Sequence, residues 1–301
     1  MQQTTNTILM VRPVNFRMNE QTAVNNYYQQ ELSDTLPAAI NAKAQKEFDD
    51  FVVKLKTNGI EVIVVNDTEN PNTPDSIFPN NWISFHENGD VVLYPMFAEN
   101  RRLERREDVL DILEKNNFNI ENIVDYSEAE EEEFFLEGTG SMILDRENRK
   151  AYCAISPRAE EELFIEFCED FEFTPVVFTS NQTVNNQREA IYHTNVMMCV
   201  AEQFAIVCLA SIDDKKERKN VIKHLKENVS IPVVGNGDIK TVKDAFKMFA
   251  TNTKGSEKLG VGLSYSKRII DRHGGKIWLK ENSSTGITVY FTIPGINTPK
   301  I

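Results

Sequence analysis

Apolar and polar positions alternate along this chain in short runs whose period switches between that of a strand and that of a helix. TILMVRP reads as a strand, and the polar stretch QTAVNNYYQQEL that follows reads as helical. In NAKAQKEFDDFVVKLKTNGI, Phe48, Val52, Val53 and Leu55 fall at near-helical spacing and Gly59 supplies a stop. EVIVVND is a β-branched strand; WISFH and VVLYP flank ENGD, whose Asn88-Gly89 is a hairpin signal. RRLERREDVLDILEKN predicts a charged helix, and residues 128–134, EAEEEEF, a solvated acidic loop or helix end. SMILDRENRKAYCAI predicts a second hairpin. Ser156 is placed to cap the next helix, with Pro157 at its first position and Glu160, Glu161 and Glu162 in its first turn. PVVFTS, the long hairpin NVMMCVAEQFAIVCLASI and the charged helix DDKKERKNVIKHLKEN follow. Near the end, Leu259–His273 reads as an amphipathic helix leading into a two-stranded hairpin. Hairpins alternating with helices predict an α/β (α+β) protein built from ββα-type units. Periodicity names no reaction.

Charge narrows the choice of partner. With 33 basic and 46 acidic residues the net charge is −13, which argues against nucleic acid and against an anionic membrane surface. No apolar run is long enough to span a bilayer, and the start, MQQTTNTILMVRP, lacks a secretory pattern, so a cytoplasmic location is expected. Cys153, Cys168, Cys199 and Cys208 form no CxxC pair and have no histidine at metal-ligand spacing. They are expected to be reduced, buried small hydrophobes. Neither a metal nor an organic cofactor is expected.

Three motifs carry candidate chemistry: PDSIFPNNW, with Asp75, Asn80, Asn81 and Trp82; LEGTGSMIL, with Glu137; and YHTN, with His193 and Asn195. Taken singly, His193 reads as a structural residue beside a strand, Glu137 as a strand end, and Asn80-Asn81 as turn residues. As an ordered set, with TNTILMVRPVNF and YPMFAENRRLERR, they resemble the guanidino-modifying (pentein) superfamily. The resemblance is to the arginine deiminase and dimethylarginine hydrolase group, in its amidinotransferase-like branch associated with citrulline hydrolysis. It runs from residue 1 to about residue 228.

The resemblance implies a propeller of ββαβ units and covalent chemistry. A cysteine thiolate attacks the guanidino or ureido carbon while a histidine carries protons to the leaving nitrogen. Carried over, His193 matches the general acid/base and Glu137 the carboxylate that accepts substrate N–H bonds. Asp75 matches a contact to the substrate's backbone end. Arg101 or Arg102, together with Arg158, resemble the arginines that clamp the α-carboxylate. Where family members acting on a guanidinium place acids, this chain has Asn81 and Asn195. A neutral ureido group can use an amide's donor and acceptor, whereas a guanidinium offers donors only. Citrulline is therefore expected over arginine.

The family's cysteine lies near the C-terminus after a glycine-rich loop, and no cysteine follows Cys208 in this chain. Cys199 is six residues past His193 on what reads as one strand, roughly 20 Å away. Residues 229–252, IPVVGNGDIKTVKDAFKMFATNT in the main, resemble a strand–loop–helix piece of dihydrouridine synthases. Residues 255–294 resemble the end of a histidine-kinase ATPase domain, with Gly260 and Gly262 as lid glycines. Each is too short a fragment to hold flavin or ATP. The expected organisation is an incomplete pentein-like domain over 1–228, its last blade missing or replaced by a foreign tail over 229–301, as from a recombined, engineered or misassembled coding sequence. The expected function is a citrulline (or arginine-like) hydrolase impaired by the missing nucleophile. The alternatives are a non-catalytic amino-acid-binding protein and a non-functional fusion. The expected partner is a small amino acid, and a homo-oligomer stays open.

Overall fold

The computed structural model describes residues 2–29, 36–202, 204–227, 270, 276–282 and 286–292. The chain packs as two units: Met1–Ser180 with Ala190–Val196, and Asn181–Glu189 with Met197–Ile301.

The first unit opens with β1 (Thr7–Arg12), α1 (Glu20–Ala23), α2 (Pro37–Thr57) and β2 (Glu61–Asn66). β1 and β2 pair in parallel, Val11 opposite Val65, with α2 in the crossover that parallel pairing requires. Next come β3 (Ile83–Phe85), β4 (Asp90–Leu93), α3 (Glu99–Arg102), α4 (Glu107–Lys115) and β5 (Asn122–Asp125). β3 and β4 are antiparallel, β4 and β5 parallel. After the single turn α5 (Gly138–Ser141), the pattern repeats in β6 (Met142–Asp145), β7 (Lys150–Ile155), α6 (Glu161–Asp170) and β8 (Thr174–Thr179). The ββαβ order thus occurs twice, the unit that the resemblance implies.

Helical spacing puts Leu163, Phe164, Phe167 and Cys168 on one face of α6, and there they meet Val92, Tyr94, Leu144, Ala151 and Phe173. Phe167 stacks on Phe171 and Phe173 with ring centroids 4.8 and 6.0 Å apart. A second core joins Ile63 and Val65 of β2, Val91 of β4, and Val109 and Leu113 of α4 around Trp82. These two cores fix the loops between the strands, where the polar motifs lie.

The second unit contains the hairpin of β9 (Asn181–Val184) and β10 (Gln187–Ala190), then β11 (Met198–Val200), β12 (Ala205–Val207) and α7 (Lys215–Glu227). β11 and β12 are antiparallel, with Cys199 opposite Ile206. β13 (Lys276–Asn282) and β14 (Gly286–Thr292) form the terminal hairpin, Trp278 opposite Tyr290. Of the expected helix Leu259–His273 only Ile270 is described, and it is helical. The junction at 228–229, the GNGD loop, Gly260 and Gly262 lie outside the described residues.

Several local expectations are corrected. The stretch QTAVNNYYQQEL is helical only to Ala23; the Asn25 side chain accepts from Arg158, and so does the Thr22 carbonyl, which also accepts from the Asn26 N–H at 3.0 Å. Its residues 30–32 lie outside the described residues. The charged helix is two helices, broken at Leu103–Arg106, where Glu104 folds back onto Arg101. Ser156 does not cap α6: its hydroxyl donates to the Tyr192 carbonyl at 2.8 Å, and the helix starts after extended Glu160. The acidic run is a 3-10 helix, Ser127–Glu132, exposed as expected at Glu128, Glu131, Glu132 and Glu133; Glu130 departs from this, turning inward to Arg105 at 2.5 Å and to the Met96 N–H at 2.7 Å. The strand drawn from His193 to Cys199 is interrupted by a 3-10 turn, Thr194–Val196, and starts at Met198. Cys153 and Cys168 are buried as expected, but Cys199 is exposed and Cys208 half-buried. The hairpin β9–β10 went unread; its turn residues Asn185 and Asn186 both take positive φ, 50° and 62°.

Gly89 illustrates turn chemistry that was legible. Its φ is +87°, and a Cβ there would come within 2.6 Å of Glu121 Cγ. Gly89→Ala is expected to cost about 1–2 kcal/mol through the left-handed backbone alone. A urea midpoint unchanged by the substitution would contradict this.

Candidate active site

Glu137 sits just before α5, and its backbone is pinned to the turn after β7. Its N–H donates to the Arg158 carbonyl at 3.1 Å and meets the Ser141 hydroxyl at 3.1 Å, while that hydroxyl donates to the same carbonyl at 2.6 Å. The carboxylate has no solvent exposure. Oε1 accepts from the Phe97 N–H at 3.1 Å. Oε2 faces three cationic or titratable groups: His193 Nε2 at 2.6 Å, Arg158 Nη1 at 3.4 Å and Arg101 Nη1 at 3.9 Å. Burial resists ionisation of Glu137, yet Arg158, the His193 hydrogen bond and Arg101 together outweigh it and hold the carboxyl down at about 2.

His193 is held by its neighbours in sequence. The Ile191 N–H donates to the Ser180 carbonyl at 2.8 Å, and the Tyr192 carbonyl accepts from Ser156. Thr194 Oγ1 accepts from the Ala154 N–H at 2.8 Å and donates to the Ser141 carbonyl. The segment is thereby stitched to β7 and α5. With Nε2 donating to a carboxylate, the imidazole presents Nδ1 as an acceptor, and Nδ1 has no partner among the described residues. Burial depresses the imidazole, with Arg158 and Arg101 adding to it, against the support of Glu137.

Asn81 ends the 3-10 turn Pro79–Asn81 and is buried, with no hydrogen bond to its side-chain amide among the described residues. Gly140 brings this amide to the imidazole. A Cβ on Gly140 would lie 2.8 Å from Asn81 Oδ1, 2.9 Å from His193 Cε1 and 3.0 Å from His193 Nδ1. His193 Nδ1 and Asn81 Oδ1 therefore converge on one point, and only a hydrogen of Gly140 separates them from the backbone of α5.

The remaining sequence-predicted residues divide. Arg158 is buried with its donors engaged: Nε on Asn25 Oδ1 at 2.9 Å, Nη2 on the Thr22 carbonyl at 2.8 Å, and Nη1 toward Glu137. Its guanidinium also covers the Tyr192 ring at 4.7 Å. Asp75 Oδ2 accepts from Asn19 Nδ2 at 2.8 Å and Thr22 Oγ1 at 3.1 Å, so it fastens the segment around α1. The Asn80 carbonyl packs on Gly138 and accepts from Thr139 at 3.3 Å. Arg102 lies apart, donating to the Met96 carbonyl at 3.0 Å and paired with Glu130 at 3.6 Å. Asn195 is exposed.

Sequence reasoning did not single out Gly140, Ser141, Tyr192, Asn25 or Glu104. Glu104 had a signal, its i,i+3 spacing from Arg101; Asn25, in a featureless polar stretch, had none. The thiols of this unit are poorly suited to attack. Cys153 donates to the Ser141 carbonyl at 3.3 Å and burial pushes its thiol up; burial pushes Cys168 up to about 12. Among the described residues no group of three His, Cys, Asp or Glu could hold a metal ion. No described helix is long and apolar enough to cross a membrane.

Comparison with known proteins places this site in context. A family model described as eukaryotic N,N dimethylarginine dimethylhydrolase matches residues 12–252. A second, for histidine kinase-, DNA gyrase B- and HSP90-like ATPases, matches residues 209–296. Among solved structures, the substrate-bound N-terminal domain of a cysteine-to-serine mutant of ArgZ, an arginine dihydrolase from the ornithine-ammonia cycle in cyanobacteria, aligns with TM-score 0.53. It shares 16% identity, covering 76% of this chain and 75% of that one. AgrE bound to L-arginine aligns at TM-score 0.54 and 16% identity, over 73% and 30% of the two chains. At such identities the likeness is one of fold. Curated relatives match short stretches: cyanobacterial phytochrome B of Nostoc sp. is 37% identical over 57 residues, 19% of this chain and 8% of its own length. Sensor protein FixL of Bradyrhizobium diazoefficiens is 53% identical over 36 residues, 12% and 7%. The chain thus spans under a tenth of the length of the curated relatives it matches.

Proposed function

Since the chain belongs to the N,N-dimethylarginine dimethylhydrolase family across residues 12–252, we propose that it binds the ureido or guanidino end of a free amino acid, citrulline in preference to arginine, and is impaired in turnover. The observation that carries this reading is the meeting of His193 Nδ1 and the Asn81 amide at Gly140, behind which Glu137 holds the imidazole at 2.6 Å. Nδ1 is the acceptor through which a proton would be taken from, or returned to, the substrate's leaving nitrogen. The Asn81 amide offers a donor to a ureido oxygen and an acceptor to its N–H, a match that a donor-only cation cannot complete. Glu137 fixes the tautomer of His193 and keeps its negative charge at the buried end.

Turnover is the weaker half of the reaction. A resonance-stabilised carbon needs a thiolate in place of water, and burial raises both thiols of this unit, Cys153 and Cys168, which disfavours their thiolates. The solved neighbours act on or bind arginine in their own descriptions, which makes arginine the ligand to test against citrulline. Calorimetry is expected to give citrulline at least about tenfold tighter than arginine, near 1.4 kcal/mol. Equal or tighter arginine binding overturns the preference. No ornithine above background is expected from either ligand; turnover abolished by a thiol-alkylating reagent would overturn the impaired-turnover reading. The competing reading, a fusion without function, predicts no binding heat from a folded sample.

A further inference from the structure

Glu104 is buried and unused by the chemistry above. Arg101 donates to both of its oxygens, Nε to Oε1 and Nη2 to Oε2, each at 2.9 Å. Two N–H groups aimed at two oxygens fit a carboxylate, since a protonated carboxyl would turn an O–H toward a donor. Burial raises the Glu104 carboxyl, to about 7, against the pull of Arg101; the two-donor fork is the feature that favours its ionised form. The same Nη2 reaches the Asp75 and Phe78 carbonyls at 3.4 and 3.2 Å, while Nη1 looks toward Glu137 at 3.9 Å. Arg101 is thus a fixed positive charge between Glu104 and the Glu137–His193 couple.

The charges around His193 can be named from each side. Glu137 precedes α5, Arg158 follows β7, Arg101 comes from α3, and Tyr192 adjoins it in sequence with ring centroids 4.6 Å apart. Asp75 and Glu137 are the other charges that bear on Glu104 besides Arg101. With Glu104, Glu137 and Asp75 ionised against Arg101 and Arg158, this set is one negative charge in excess, so a proton on His193 makes it neutral. Without the Glu104 charge the set is already neutral, and a protonated imidazole would be an uncompensated buried cation.

We infer that Glu104 is a positioning residue that sets the proton affinity of His193, by cancelling the charge of Arg101 and holding its fork. This rests on the reading of His193 as the proton carrier, and it is tested without turnover. The experiment follows the His193 ring resonances by NMR against pH in the full chain. Glu104→Gln is expected to move the His193 midpoint down by about one pH unit, the size of a unit charge roughly 10 Å away at an effective dielectric of about 20. Glu104→Asp should restore most of the wild-type value. The paired change Arg101→Met with Glu104→Leu removes the nearer positive charge along with the negative one, and should leave the midpoint at or above the wild-type value. That pair carries the test should Glu104→Gln not fold. A midpoint unmoved by Glu104→Gln, or displaced upward, overturns the inference, and so does a paired variant displaced downward by a full unit. A shifted midpoint in a protein that binds no citrulline leaves the coupling intact and removes only the functional reading.

Discussion

Glu137→Gln is expected to destabilise the protein by roughly 3 kcal/mol at pH 7 and to abolish citrulline binding. The carboxylate is wholly buried and faces His193, Arg158 and Arg101. An amide keeps its shape but takes the carboxylate partner from buried Arg158, while Arg101 keeps its pair with Glu104; losing one partner of a buried ion pair is the costly change. The pH dependence gives the sharper test. The Glu137 carboxyl stands at about 2 in the fold against an ordinary 4.5. A depressed folded value contributes stability that is fully present above pH 4.5 and is lost as pH falls through about 2. The difference of about 2.5 units corresponds to the same roughly 3 kcal/mol. Urea midpoints for wild type and variant should therefore lie far apart at pH 7 and draw together between pH 4.5 and pH 2.5. A gap that stays constant across that range would mean that the ionised carboxylate is not what stabilises the fold.

Gly140→Ala is the second large effect, and it should separate binding from stability. The new methyl would stand within 3.0 Å of Asn81 Oδ1 and of the Cε1 and Nδ1 atoms of His193. These are side-chain atoms, so the fold can relieve the contact cheaply, and the cost in stability should stay below about 1 kcal/mol. Relief means that the amide swings away, because His193 is tied to Glu137 at 2.6 Å. Displacing a positioning group by about 1 Å can cost on the order of a hundredfold. Citrulline affinity is expected to fall by about that factor with the urea midpoint nearly unchanged. If binding survives, Asn81 and His193 do not share a ligand. Loss of stability in step with binding would instead assign Gly140 a purely structural role.

The element order and the site were legible to different depths. Turn chemistry gave the hairpin at Asn88-Gly89, and helical spacing gave α2. Two helix boundaries differ for one reason: Asn25 and Ser156 each spend a side-chain group outside the expected helix, on Arg158 and on the Tyr192 carbonyl. Propensity counts such residues as helical or capping; their distant partners decide otherwise. The motif set identified His193, Glu137 and Asn81 together. It could not separate Arg101, which faces the couple, from Arg102, which faces Glu130.

By itself, the sequence determined the alternation of hairpins and helices, because local periodicity and turn residues act within a few positions, and its ordered motifs carried the family resemblance and the residue types of the candidate site. Only the tertiary structure decided that Glu137 meets His193 across 56 residues, and that Arg158 spends its donors on Asn25 across 133. A buried charge takes whatever complementary group the packing of separate strands delivers to it. No pattern along a single stretch of chain encodes which group that will be.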